Sequence, residues 1–207
     1  MPAAVLANVV TDVSDWLNDF SANWWFLVII FVIAYLDSIV PIVPSETTVI
    51  IGGVAAGLGE QSLLAVIACG AVGAFLGDNT AYLIGSRMSG WIKRQAAKKE
   101  KRQRQLDWAT EQIRIRGGLL LITARFIPGG RTALTVSSGI THQPHRWFAS
   151  WIALAVIIWA SYAALLGYFG GRAFKDDHTT AFLVAFGTAL SVTVLIELVR
   201  YLRHRFR

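Results

Sequence analysis

The stretch Arg125-Phe126-Ile127-Pro128-Gly129-Gly130-Arg131 places two arginines on either side of a Pro-Gly-Gly break, inside an otherwise apolar run. A second stretch, Asp37-Ser38-Ile39-Val40-Pro41-Ile42-Val43-Pro44-Ser45-Glu46, has the same design with acidic residues. Proline lacks a backbone N–H and glycine is conformationally free, so each stretch predicts a break in a helix. Charge at the depth of a bilayer indicates a functional site. We therefore interpret the two stretches as halves of one site.

The composition is typical of an integral membrane protein. The 207 residues are 55% hydrophobic and 15% charged, and the mean hydropathy is +0.52. In a soluble domain roughly a quarter of the residues are charged, so this chain is too apolar for that class. The single cysteine, Cys69, offers neither a disulfide nor a paired metal ligand.

The basic residues are concentrated in one polar segment. Between Arg87 and Arg116 lie ten of the nineteen Lys and Arg residues together with three acids, which gives this segment a net charge of +7. Because such an excess between apolar segments records topology, the overall charge of +6 does not predict a nucleic-acid partner. The positive-inside rule makes this segment and the basic C-terminus cytoplasmic. The sequence leaves open whether the segment only fixes topology or also lies on anionic lipid.

Two apolar blocks are too short to cross a bilayer. The block Trp24–Tyr35 has 12 residues, whereas a spanning helix needs about 20, and the block at 47–57 is also short. Two half-length arms joined by a proline-broken turn predict a re-entrant hairpin, whose irregular backbone must be buried in protein or line a cavity. The alternative is a single tilted spanning helix with a proline kink. Residues 118–139 repeat the hairpin design around the arginine stretch.

The predicted fold is an all-α integral membrane protein. It is a single membrane domain, 1–207, of two inverted units plus a C-terminal transmembrane helix, and each unit contains an interfacial helix, a re-entrant helical hairpin and a transmembrane helix. Inverted repeats whose broken segments meet near the midplane are a transporter architecture. The N-terminal helix either lies in the interface or packs on the protein. The segments are the interfacial helix at 1–23, a hairpin at 24–58, a transmembrane helix at 62–85, the basic cytoplasmic connector at 86–117, a hairpin at 118–139, and transmembrane helices at 147–168 and 180–200.

A series of motifs carries a specific resemblance. In chain order they are Pro44-Ser45-Glu46, Gly77-Asp78-Asn79 with Tyr82, Gly85, Arg87 and Gly90, the arginine stretch with Thr132, and Ser138-Gly139 with Phe148 and Trp159. Over residues 25–170 the series resembles the DedA family, the bacterial branch of the membrane proteins that share the SNARE-associated or VTT domain. The resemblance implies two re-entrant hairpins in the bacterial cytoplasmic (inner) membrane. It also implies proton-dependent movement of lipids, either undecaprenyl phosphate or a similar polyprenyl phosphate, or phospholipids such as phosphatidylethanolamine.

The resemblance also assigns residues. The family's acidic pair carries over to Asp37 and Glu46, and its arginine pair to Arg125 and Arg131. In this chain the acids are reversed in type and lie closer together than in the family pattern. Asp78 belongs to the site or serves as a structural hydrogen bonder, and the sequence leaves both open.

The residue types support binding of a phosphate group. The planar fork of donors on arginine matches phosphate bidentately and stays charged. A carboxylate released from arginine by phosphate takes up a proton, which gives a route to coupling. Four unpaired charges in lipid would cost about ten kcal/mol, so we expect mutual pairing when no substrate is bound. The candidate residues are Arg125, Arg131, Gly129 and Gly130 for substrate, Glu46, Asp37 and Asp78 for protons, and Pro41, Pro44 and Pro128 as hinges.

The predicted function is a flippase- or scramblase-like lipid transporter, and the sequence leaves other functions open. In one alternative, the charged residues form ion pairs that only hold the two hairpins together. In another, they serve a proton-coupled small-ion antiporter. A membrane lipid phosphatase would use Ser137, Ser138, His142 and His145, although both histidines fall in a connector near the interface. We predict no enzyme activity, no cofactor and no metal site. The predicted partners are membrane lipids and protons, and the sequence leaves open whether the protein forms a homodimer.

Overall fold

The computed structural model describes residues 23–40, 45–98, 100–126 and 130–173, and this part of the chain is helical. The predicted interfacial helix at 1–23, apart from Asn23, and the predicted last transmembrane helix at 180–200 lie outside the described residues. The helices are α1 Trp24–Ile39, α2 Ser45–Leu58, α3 Leu63–Arg87, α4 Ser89–Ala97, α5 Glu100–Arg116, α6 Leu119–Thr123, α7 Gly130–Ile140 and α8 His145–Ala173, with a 3-10 turn at Ala124–Phe126 between α6 and α7.

Two of these helices are long and apolar enough to cross a membrane. They are α3, with 25 residues and a mean hydropathy of 1.5, and α8, with 29 residues and a mean hydropathy of 2.0. Both overlap the transmembrane helices predicted at 62–85 and 147–168. α1 and α2 are apolar but shorter, with 16 and 14 residues. Together with the composition, these lengths fit the membrane-protein class, while the inverted units and the re-entrant hairpins stay predictions.

Large apolar side chains face outward on the long helices. On α1, Val28, Val32 and Leu36 repeat every four residues and are exposed, whereas Phe26 and Ile30 on another face are buried. The same outward display continues on α3 with Val72, Leu76 and Leu83, and on α8 with Leu154, Ile157, Tyr162 and Phe169. A helix that is apolar on its outer face as well as its inner face is typical of a lipid surrounding.

The described chain divides into two compact units. The first takes in the described parts of Met1–Ile33, Pro44–Gly70 and Ala160–Arg207, and the second takes in those of Ala34–Val43 and Ala71–Trp159. The division cuts across α1, α3 and α8, so these three helices contribute to both units. The prediction that residues 1–207 form a single membrane domain, with the segments given above, stays a prediction.

Backbone contact between α2 and α8 holds the first unit together. A Cβ atom added at Gly53 would collide with the carbonyl oxygen of Ala164, and one added at Gly167 would collide with that of Ile50. Gly57 and Gly171 repeat the contact one turn further along each helix. Small residues at this four-residue spacing let two helix backbones approach closely, which is the main source of packing energy inside a membrane.

The second unit brings three sequence-distant segments around the first half of α8. α7 packs on α5 and on the 3-10 turn, and Gly139 of α7 lies against the backbone of α3 near Tyr82. The ring of Phe148 on α8 stacks on the ring of Tyr82, with 4.6 Å between centroids. α6 has only five residues and tightens into the 3-10 turn that carries Arg125. A helix is expected to end shortly before Pro128, because proline disfavours helical backbone at the residue before it.

Candidate functional site

An ion pair between Arg125 and Asp78 lies at the centre of the second unit. Nη1 of Arg125 donates to Oδ2 of Asp78 across 2.6 Å, and the two side chains are 1% and 0% exposed. Asp78 comes from the middle of α3 and Arg125 from the 3-10 turn. Charges at this depth are stable only when paired, because desolvating an isolated ion costs several kcal/mol.

The indole ring of Trp159 covers the guanidinium of Arg125. The Cζ atom of Arg125 lies 5.0 Å from the ring centroid, within the range of a cation–π interaction. Trp159 is itself buried in α8. The Arg125 side chain is therefore fixed by a carboxylate from α3 and by an aromatic face from α8.

Arg131 makes a more open set of contacts. Its Nη2 atom donates to the main-chain oxygen of Asp37 at 2.5 Å and lies 3.1 Å from Oδ2 of the same residue. Its Nε atom is 4.0 Å from Oδ1 of Asp78. The side chains of Arg131 and Asp37 keep 12% and 14% of their surface exposed. Because Asp37 lies in the last turn of α1, Arg131 also satisfies a carbonyl at the negative end of that helix.

Close packing of α1 on α3 brings Asp37 to this position. A Cβ atom at Gly77 would lie 2.6 Å from the Cβ of Ser38, so only glycine allows the approach seen here. The hydroxyl of Ser38 donates to the carbonyl of Ala74, and the hydroxyls of Tyr35 and Thr80 are 3.3 Å apart. Gly77 directly precedes Asp78, so the same contact sets the positions of both acids.

Several polar atoms of this cluster lack hydrogen-bond partners. They are Oδ1 of Asp78, Nε and Nη2 of Arg125, and the hydroxyl oxygens of Thr132 and Thr135, all of them buried. Buried polar groups in folded proteins are almost always hydrogen-bonded. Among the described residues, no group of three or more His, Cys, Asp or Glu residues is arranged to hold a metal ion.

Comparison with known proteins identifies the family. The sequence model of the VTT domain matches residues 40–169, more than half of the chain. The chain belongs to the DedA family of VTT-domain membrane proteins. It is 24% identical to Protein DedA of Escherichia coli strain K12 over 185 residues, which are 86% of this chain and 84% of that protein.

Other relatives of this DedA-family chain are also bacterial membrane proteins. An uncharacterized membrane protein of Synechocystis, slr0232, is 28% identical over 172 residues, 82% of this chain and 78% of its own. Undecaprenyl phosphate transporter A of Bacillus subtilis is 26% identical over 144 residues, 69% of this chain and 72% of its own. No solved structure matches the chain.

The DedA-family chain brings four of the predicted site residues together: Arg125, Arg131, Asp37 and Asp78. Asp37 is not in the turn between two helices, as the sequence pattern indicated, because α1 continues through Ile39. Of the remaining predicted site residues, Gly130 begins α7, and Glu46 lies in the first turn of α2, in the first unit. Gly129, Pro41, Pro44 and Pro128 lie outside the described residues.

The histidines considered for a phosphatase hydrogen-bond to α3 and its junction with α4. His142 has both ring nitrogens 3.2 Å from hydroxyls, those of Ser86 and Ser89, and its backbone has a φ of 52°. Nε2 of His145 lies 2.8 Å from Oδ1 of Asn79. The hydroxyl of Ser138 donates to the carbonyl of Leu134 on its own helix.

Sequence reasoning gave no role to Trp159, Thr132 or Thr135. Trp159 was visible only as one member of the family's motif series, and nothing in the local sequence of α8 indicates that it faces an arginine. The threonines follow Arg131 at one and four residues, a spacing that puts all three within about one turn of a helix. That spacing was the available signal for the threonines.

Proposed function

We propose that this DedA-family chain moves a phosphate-bearing lipid, such as a polyprenyl phosphate or a phospholipid, across the bacterial inner membrane with coupling to protons. One observation carries the proposal: the two arginines that flank the Pro-Gly-Gly sequence both contact Asp78 inside a unit of apolar helices. The name of one relative, undecaprenyl phosphate transporter A, supports a lipid phosphate as substrate. The protein acts as a transporter and not as an enzyme.

In this proposal the headgroup enters at Arg131. Its contacts with Asp37 are partly exposed, so a phosphate oxygen can replace the carboxylate without unpacking the buried Arg125–Asp78 pair. Phosphate and carboxylate compete for the same donors because both accept in the plane of the guanidinium fork. Because Gly129 and Gly130 carry no side chain, we include them in the proposed headgroup site, while the hydrophobic chain of the substrate stays in lipid.

Proton coupling follows from the displaced acid. A carboxylate that loses its cationic partner inside a low-dielectric site takes up a proton more readily. Asp37 is the acid displaced first, and Asp78, which faces both arginines, is the second. We include Glu46 as a third proton-coupling residue because the sequence predicts that role. It lies in the first turn of α2.

Movement of the substrate requires the site to open to each side of the membrane in turn. We further propose an inverted-repeat transporter with two re-entrant hairpins of opposite orientation and with Pro41, Pro44 and Pro128 as hinges. Because proline cannot continue a regular helix, its positions in the sequence are the reason for proposing these three residues as hinges.

Transport in reconstituted liposomes tests the proposal. Purified protein is placed in vesicles with fluorescent analogues of a polyprenyl phosphate and of phosphatidylethanolamine, and flipping is measured with and without a pH gradient. We expect flipping by the wild-type protein that depends on the gradient, and little flipping by Arg131→Ala. Equal rates for both proteins would remove Arg131 from the mechanism. Release of inorganic phosphate from the substrate would instead support the phosphatase.

A further inference from the structure

Among the described residues of the second unit, five buried side-chain atoms have no hydrogen-bond partner. Four of them can donate, namely Nε and Nη2 of Arg125 and the hydroxyls of Thr132 and Thr135, whereas the fifth, Oδ1 of Asp78, only accepts. Leaving one buried donor unsatisfied costs about 1–3 kcal/mol, so a native protein rarely keeps several together. Here Arg125 alone leaves two such donors, Nε and Nη2, on a side chain that is 1% exposed. Such a set indicates a polar occupant that binds there.

The hydroxyls of Thr132 and Thr135 depart from the behaviour of the other helical hydroxyls. Several other hydroxyls in or directly after a helix donate to the carbonyl four residues earlier, among them those of Thr80, Thr123, Ser138 and Thr141. Thr132 and Thr135 make no hydrogen bond although their oxygens are buried. Being three residues apart, they lie on one side of α7.

The free edge of Arg125 is suited to bind two oxygens of one anion. Nη1 is used by Asp78, whereas Nε and Nη2 lie side by side on the other edge of the planar guanidinium. Two parallel donors are the geometry in which arginine binds phosphate bidentately. The ion pair with Asp78 and the contact with Trp159 hold this edge in place before any ligand binds.

These donors belong to segments in contact. The 3-10 turn that carries Arg125 packs on α7, and α7 begins at Gly130, directly before Arg131 and Thr132. We propose that Thr132 and Thr135 bind the phosphate of the transported lipid through their hydroxyls, together with the Nε–Nη2 edge of Arg125. This inference rests on the proposed function and adds two residues that recognise the headgroup.

Removal of each hydroxyl tests the inference. The variants are Thr132→Val and Thr135→Val, which keep the side-chain shape, and the matched control is Thr141→Val, whose hydroxyl bonds its own helix. Binding of undecaprenyl phosphate to full-length protein in nanodiscs is measured, with inorganic phosphate in a second arm to separate a lipid headgroup from the free ion. We expect each of the two variants to bind the lipid about 10-fold more weakly, since this is the lower range for a hydrogen bond to a charged group.

The thermal unfolding temperature of the ligand-free variants separates recognition from structure. A buried hydroxyl without a partner contributes nothing to stability, so Thr132→Val and Thr135→Val should leave this temperature unchanged or raise it, while Thr141→Val should lower it. Loss of lipid binding with unchanged ligand-free stability supports the inference. Binding equal to that of the wild type, or a fall in unfolding temperature as large as in the control, overturns it.

The same experiment keeps the two proposals apart. If wild-type protein binds undecaprenyl phosphate and the threonine variants bind it equally well, the inference fails and the proposed function stands. If the wild-type protein binds neither the lipid nor inorganic phosphate, both fail. If inorganic phosphate binds and the lipid does not, the threonines bind a free ion, and the headgroup role is wrong.

Discussion

Substitution of Asp78 by asparagine should destabilise the protein far more than the same change at Asp37. Asp78→Asn keeps the side-chain shape but leaves Arg125 charged, 1% exposed and without its carboxylate. Breaking a buried pair from one side costs about 3–5 kcal/mol. The Asp37 pair is less deeply buried, and the main-chain oxygen of residue 37 still accepts from Arg131, so Asp37→Asn should cost clearly less than Asp78→Asn.

Thermal unfolding in detergent, followed by far-UV circular dichroism, measures the difference. A loss of 1 kcal/mol lowers the unfolding temperature by about 2–4 °C in a domain of this size, so Asp78→Asn should lower it by about 6 °C or more. The double variant Asp78→Asn/Arg125→Gln removes the uncompensated charge and should recover most of the loss. The reasoning is refuted if the two single variants unfold at the same temperature, or if the double variant is no more stable than Asp78→Asn.

Three further predictions address Arg131, which we propose as a substrate-binding residue, the aromatic contact and the helix packing. Arg131→Lys should unfold near the wild-type temperature but lose most lipid flipping, because a point charge replaces the bidentate fork; flipping close to the wild-type rate would contradict this. Trp159→Leu removes both the cation–π contact and buried aromatic volume, so it should lower stability by about 2 kcal/mol or more. It should also weaken lipid binding through Arg125, which isothermal binding measurements would detect; unchanged stability and binding would contradict the contact. Gly167→Val should lower the unfolding temperature because its side chain meets the backbone of α2, whereas Gly170→Val, with open space at its Cβ, serves as the control; similar temperatures for both would contradict the close approach.

The long helices and the arginine stretch were predictable because their signals are local. Stretches of about twenty or more mostly apolar residues specify α3 and α8 by their length, although α3 contains Asp78. Arg125 and Arg131 stand out because arginine is rare among leucine, isoleucine and phenylalanine. Neither inference requires knowledge of which segments meet.

The partners of these arginines depend on tertiary contacts and were only partly predictable. Asp78 was left undecided from sequence, because its position on α3 does not say whether the 3-10 turn with Arg125 or lipid lies beside it. Asp37 was assigned to the turn since Pro41 follows closely, but the helix continues to Ile39 with Ser38 hydrogen-bonded to α3. Trp159 lies more than thirty residues after Arg125 in the chain, and helical periodicity carries no information on such pairs.

The charges of the cluster give a physical reason for the proton coupling that we propose. Arg125 and Arg131 carry two positive charges, and Asp37 and Asp78 carry two negative charges, so the four side chains together are neutral. Entry of a phosphate with one negative charge leaves one uncompensated charge in a low-dielectric surrounding, which costs several kcal/mol. Protonation of one carboxylate restores neutrality and frees an arginine for the phosphate in the same step. The proposed coupling therefore follows from the balance of charge at the site, with one proton taken up for each singly charged headgroup.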